Sequence, residues 1–210
     1  MKFVISDEEE VRAAVRDILM EPYREHIKEW CDICRMEDSE SADEFIRAMD
    51  ALFVQTGTLQ RQHRKAAVTF LNIHYLRAGL LDGTFRLLLN AYSSRYYFDP
   101  METDSDWCPK WIRQNYLSDM EYLEQQARKR NIRIPRMELQ NIRQKHYMDY
   151  VLLLPGFCQM NVERVLALSS FSELEVGQEF GIVFGEYMGP IIPLYWRGGE
   201  EKRTDEILHA

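Results

Sequence analysis

A chain of 210 residues with 46% hydrophobic and 29% charged residues is too apolar for disorder and long enough to bury a sizeable core, so one domain is expected over 1–210. The formal net charge of −8 disfavours nucleic acid or an anionic membrane as the partner of the whole surface. The longest apolar run in the middle of the chain, Tyr150 to Pro155, falls far short of the ~20 residues that cross a bilayer, and the acids from Asp7 onward are unlike a secretory signal. Four unevenly spaced cysteines do not read as a disulfide framework, so a cytoplasmic location with reduced thiols is expected.

Ser6 and Glu9 have the spacing of a capping box, in which each side chain satisfies a free backbone N–H at a helix start. Val11, Val15, Ile18, Tyr23, Ile27, Trp30 and Cys34 then fall near helical spacing, with Pro22 predicting a kink or a break near Met20. Ser41 and Glu44 repeat the capping signature and predict a second helix through Ile46, Met49 and Phe53 that stops near Gly57. A third helix is predicted over 61–81, with Ala67, Leu71, Ala78 and Leu81 on one face.

The period then changes. Thr84 to Tyr92 reads as a strand that turns at Ser93-Ser94 into 95–98, a hairpin over about 84–98, followed by an acidic loop over 99–106. Helices are predicted over about 107–130, with Pro109 in the first turn, over 135–154 and over 162–168. A second hairpin is predicted over about 180–196, turning near Met188-Gly189, with Pro193 placing its return strand at a sheet edge. The charged tail from about 198 is expected to fray. The expected fold class is α+β, predominantly helical, with the two hairpins forming a small antiparallel sheet packed against helices.

The Cys31-x-x-Cys34 pair comes late in a helical pattern, where the dipole disfavours a thiolate, and it continues an apolar stripe. Core packing is therefore preferred over redox chemistry. Cys31 and Cys34 stay the only metal candidates, because residues three apart share a helix face, but His26 is too far along the helix to join Cys34 around one ion. Cys108, at a predicted helix start beside Lys110, is the better candidate for a reactive thiol. His74 and His146 each lie on an apolar stripe and read first as buried histidines. If their helices packed face to face, the imidazoles would meet in a cleft near Asp82 or Asp149 as an acid–base pair. No nucleophile-elbow, phosphate-loop, dinucleotide or zinc-protease pattern is present, and no cofactor is expected.

Arg128, Lys129, Arg130, Arg133 and Arg136 form a local basic edge that would suit an anion such as phosphate or nucleic acid. Aromatic residues crowd both hairpins, and strand alternation leaves some of them exposed as a partner-binding patch in which Tyr97, Tyr195 and Trp196 are the candidates. The preferred function is a non-enzymatic protein-interaction or regulatory module that binds a protein partner or a second copy of itself, not nucleic acid or a membrane. The rival is a small thiol-dependent or metal-binding enzyme using Cys108 or a His74/His146 cleft, and a third reading is anion binding by 128–145.

Overall fold

The structure, a computed structural model, describes residues 8–36 and 39–198. The chain runs α1 (Glu8–Arg35), α2 (Glu40–Arg61), β1 (Val68–Tyr75), α3 (Gly79–Asp82), β2 (Leu87–Tyr92), a 3-10 turn (Tyr96–Phe98), β3 (Thr103–Trp107), α4 (Lys110–Lys129), α5 (Arg136–Val151), α6 (Leu154–Met160), α7 (Val162–Leu166), α8 (Ser169–Ser172), β4 (Val176–Glu186) and β5 (Ile191–Arg197). The fold is α+β: helices packed on a five-stranded mixed sheet of order β3-β2-β1-β4-β5. Among the described residues no helix is long and apolar enough to cross a membrane.

The helices follow the apolar stripes, with local differences. α1 continues unbroken through Pro22. Ser6 lies outside the described residues. α2 is capped by Ser39, whose Oγ accepts from the Ala42 amide at 3.2 Å, and not by Ser41; it continues past Gly57 to Arg61. Pro109 and Pro135 stand as the N-cap residues of α4 and α5, where a missing N–H leaves no helical bond unmade.

The sheet corrects four expectations, the simplest being the acidic loop over 99–106, whose second half lies in the edge strand β3. The predicted helix over 61–81 is instead the end of α2, the buried strand β1 and the single turn α3. The predicted hairpin over 84–98 does not form, because 96–98 is a 3-10 turn; β2 pairs antiparallel with β1 on one side and with β3 on the other. The sheet is mixed and not purely antiparallel, since β1 and β4 run parallel. The second hairpin matches its prediction: β4 and β5 pair antiparallel, β5 is an edge strand, and the register shifts beside the Val183–Pro193 pair, where proline has no N–H to give.

One face of the sheet is the floor of the core. Leu71 and Ile73, Leu87, Leu89 and Ala91, Trp107, Phe180, Ile182 and Phe184, and Leu194 project from it into the apolar cluster shared with the helices. Buried Gln60 of α2 fixes the parallel pair from one end: its Nε2 donates to the carbonyls of Ala66 and Glu175, and its Oε1 accepts from the Glu175 amide at 3.0 Å. Strand alternation puts Phe70, Asn72 and His74 of β1 and Leu88, Asn90 and Tyr92 of β2 on the outer face.

Candidate functional site

The outer face of the sheet carries polar groups that its rings cover. Asn72 and Asn90 are register partners on adjacent strands, and both are buried. Asn72 Nδ2 donates to Tyr96 Oη at 2.6 Å and lies 2.9 Å from His74 Nε2. Burial pushes the His74 imidazole down to about 4, so it is neutral at physiological pH. Among the described residues Asn72 Oδ1, Asn90 Oδ1 and Tyr92 Oη are buried without a hydrogen-bond partner. Such atoms are each worth roughly 1–3 kcal/mol of lost solvation.

Above this layer runs a row of half-buried rings. Trp196 meets Phe70 at 5.8 Å between centroids, Phe70 meets Tyr96 at 4.9 Å, Tyr96 meets Tyr97 at 4.5 Å, and Tyr97 meets Tyr187 at 5.9 Å. Tyr97 and Tyr187 also pack on His74. Phe98, next in the chain, is 87% exposed, and Met188 is 70% exposed. Tyr97 Oη accepts from the Met188 amide at 3.1 Å, tying the two loops together. Tyr96 (φ 53°) and Met188 (φ 56°) both hold left-handed backbone, which L side chains adopt only under constraint.

The constraint on the loop comes from a buried ion pair. Lys65 Nζ donates to Asp99 Oδ2 at 3.0 Å, and Asp99 also accepts the amides of Ser93 (2.7 Å) and Met101 (3.0 Å). Burial alone would raise the Asp99 carboxyl; these amides and Lys65 outweigh it and hold it below the usual carboxylate range.

A second polar cluster lies among α1, α4 and α5. Asp119 is 0% exposed, and its Oδ2 accepts from His146 Nε2 at 2.7 Å and from Tyr150 Oη at 2.8 Å. A carboxylate only accepts, so both partners donate to it. With its proton committed to Asp119, Tyr150 Oη accepts from His26 Nδ1 at 2.8 Å, which fixes that nitrogen as protonated. Asp119 Oδ1 is 3.2 Å from the same His26 nitrogen, in ion-pair range without a hydrogen bond. His146 Nδ1 is 3.7 Å from Asp149 Oδ2. Burial would lower the His146 pKa, but the hydrogen bonds and charges of Asp119 and Asp149 outweigh burial and raise it. His146 and Asp149 line a cleft of about 490 Å³ between α1 and α5.

The predicted residues are thus scattered. His74 packs on the outer face of the sheet among Tyr97 and Tyr187, and His146 packs against Tyr23, Tyr116 and Tyr150 of the helical layer, so no His74/His146 cleft forms. Of the two acids expected near an imidazole, Asp149 faces His146, but Asp119 stands nearer to it. Cys108 Sγ donates to the Thr84 carbonyl at 3.2 Å, and burial raises its pKa despite Arg113 and Lys110, so the thiol stays protonated. Cys31 is exposed and fills no core; Cys34 is half-buried on it, with its pKa pushed up to about 11 by burial and by Cys31. Among the described residues no three His, Cys, Asp or Glu side chains gather to hold a metal. Arg128, Lys129, Arg130, Arg133 and Arg136 lie exposed where α4 passes into α5, with Arg128 3.7 Å from Glu124.

Of the candidate partner residues, Tyr97 and Trp196 share the outer face, whereas Tyr195 packs on the core beside Phe180. Sequence reasoning missed Asp119, His26 and Tyr150. The signal was available, because His26 and Tyr23 lie three apart in α1, His146 and Tyr150 four apart in α5, and only a buried acid from a third helix joins them. No protein-family model, curated protein or solved structure matches this chain.

Proposed function

We propose that the chain is a non-enzymatic interaction module, acting as one domain, that anchors a polypeptide partner on the outer face of its sheet. The observation that carries this reading is the display of Phe98 and Met188 on two left-handed loops tied by the Tyr97 hydroxyl. Holding apolar side chains out in water on constrained backbone costs stability, and a partner that buries them recovers it. Tyr and Trp beside them are the residue types that most often dominate interfaces. The half-buried rings from Trp196 to Tyr187 extend the same surface, and the buried atoms of Asn72, Asn90 and Tyr92 leave hydrogen-bonding capacity beneath it. We also place the chain in a reducing, cytoplasmic compartment, in keeping with four free thiols.

The test is cross-linking in the native cell, followed by binding of each recovered protein to purified wild type and to the F98A/M188A double variant. A central anchor of this kind is worth about 2 kcal/mol or more, so the double variant loses about thirtyfold in affinity. Unchanged binding of every recovered partner, together with unchanged self-association by sedimentation, would overturn the reading.

A further inference from the structure

The α1/α5 cleft is independent of the aromatic face and has a different chemistry. Its lining gathers three cations, Arg12, Arg16 and Lys145, against two acids, Glu138 and Asp149, before His146 is counted. On a chain of net charge −8 this is a local reversal of sign. The charges are not equivalent. Arg12 Nε donates to Glu138 Oε1 at 2.8 Å and is neutralised there, and Asp149 is taken up by His146 at 3.7 Å. Arg16 and Lys145 are exposed and have no ion-pair partner among the described residues. They stand on the two helices that form opposite walls.

Between them the walls are apolar, built from Val15 and Leu19 of α1 and Ile142 of α5. His146, 4% exposed, presents the cleft with a ring that cannot turn, because Asp119 holds Nε2 at 2.7 Å and the Tyr23 ring packs against it at 5.2 Å. A cleft of about 490 Å³ in which an apolar strip and a fixed imidazole lie among charged side chains has the size of a small-molecule site.

We propose that the α1/α5 cleft binds a small organic anion, a carboxylate or phosphate monoester head held between Arg16 and Lys145 with its apolar body on Val15, Leu19 and Ile142, beside the His146 ring. Among the described residues neither of the two cations satisfies another protein group, so there the incoming head competes with water alone. A neutral or cationic analogue of the same shape gains the wall contacts but leaves both cations unmatched.

The experiment is isothermal titration of the full chain with hexanoate, hexyl phosphate, hexanamide, hexylamine and inorganic phosphate, with the His146 ring C–H resonances followed by NMR. The two hexyl anions bind and shift His146, hexanamide and hexylamine bind at least tenfold more weakly, and inorganic phosphate binds more weakly than its hexyl ester. The tighter of the two anions identifies the head group as carboxylate or phosphate. The R16Q/K145Q variant, altered only at exposed positions, keeps its circular dichroism spectrum and loses about tenfold in affinity, while K129Q/R130Q and F98A/M188A bind as wild type. The proposal fails if neither hexyl anion binds at about 10 mM, if hexanamide binds as tightly as hexanoate, or if R16Q/K145Q binds undiminished. Failure here leaves the aromatic face untouched, and the reverse holds too.

Discussion

His146 of α5 donates to Asp119 of α4 at 2.7 Å; the carboxylate is wholly buried and the imidazole shows only an edge to the α1/α5 cleft. A buried carboxylate is tolerable only while its acceptor positions are filled, and here one oxygen takes two donors from α5. Removing the acid strands two donors and unlinks α1, α4 and α5 together. Asp119→Ala is expected to destabilise the fold by about 3–5 kcal/mol, and Asp119→Asn by less, since its carbonyl still accepts. Urea denaturation monitored by circular dichroism checks both values. Equal losses from the two variants would show that the carboxylate charge contributes more than its hydrogen bonds.

The two buried histidines titrate in opposite senses. His74 is held down to about 4, against about 6.5 in the unfolded chain. Between those values the unfolded state binds the proton and the folded state does not, so stability falls as pH drops from about 6.5 toward 4, by about 3 kcal/mol in all. His146 is raised, so its contribution is complete below about pH 6.5 and is lost as pH rises through its folded value. Stability measured against pH should show both slopes. His74→Leu removes the acid-side slope and His146→Gln the neutral-side one; persistence of either slope in its variant would show that another group carries it.

Lys65 and Asp99 are paired but not equally dependent on each other. Asp99 keeps two backbone amides without Lys65, whereas Lys65 without Asp99 is a buried cation left with the Met101 carbonyl. Asp99→Ala is therefore expected to cost about 3–5 kcal/mol and Lys65→Met clearly less. Asp99→Ala also releases the loop that carries Tyr96, Tyr97 and Phe98, which faster amide exchange over 93–101 would report.

Thiol labelling of the native protein should rank the cysteines by exposure and by pKa. Cys31 is exposed and reacts first; Cys34, at about 11, and Cys108 react slowly at pH 7.5; Cys158 is buried and reacts only on unfolding. Mass spectrometry of a timed alkylation gives the order directly. Rapid labelling of Cys108 would restore it as a reactive thiol.

Gly181 lies beneath the Trp196 ring, and a Cβ there would overlap the ring's Cζ3. Gly181→Ala is expected to lift Trp196 off the sheet, costing about 1–3 kcal/mol and shifting tryptophan emission to the red. An unchanged spectrum would mean that β5 moves with the ring instead.

The long helices and the β4–β5 hairpin were legible because each buries one stripe or one alternation, and the periodicity survives in the sequence. β1 was not. Its outer face carries Phe70, Asn72 and His74, buried or half-buried like its inner face, so "VTFLNIHY" shows no exposed-polar alternation, while Leu71, Ala78 and Leu81 happen to sit at helical spacing. β3 was hidden for the opposite reason. "TDSDW" is a short edge strand whose outward positions are acids, which resembles a loop. The Asp119 cluster was half legible. His146 and Asp149 follow from helical spacing, but Asp119 comes from α4, and no local pattern predicts which buried acid meets which imidazole.

β1 and β4 lie side by side at the middle of the sheet, yet about half the polypeptide separates them in sequence. The emerging chain therefore reaches the ribosome exit with a three-strand meander whose innermost strand has an open flank until the last elements are synthesised. A stop codon before residue 176 leaves Leu71 and Ile73 without their neighbours and turns the centre of the molecule into an adhesive border. Aggregation during synthesis, and not loss of a surface, is the expected fate of such fragments.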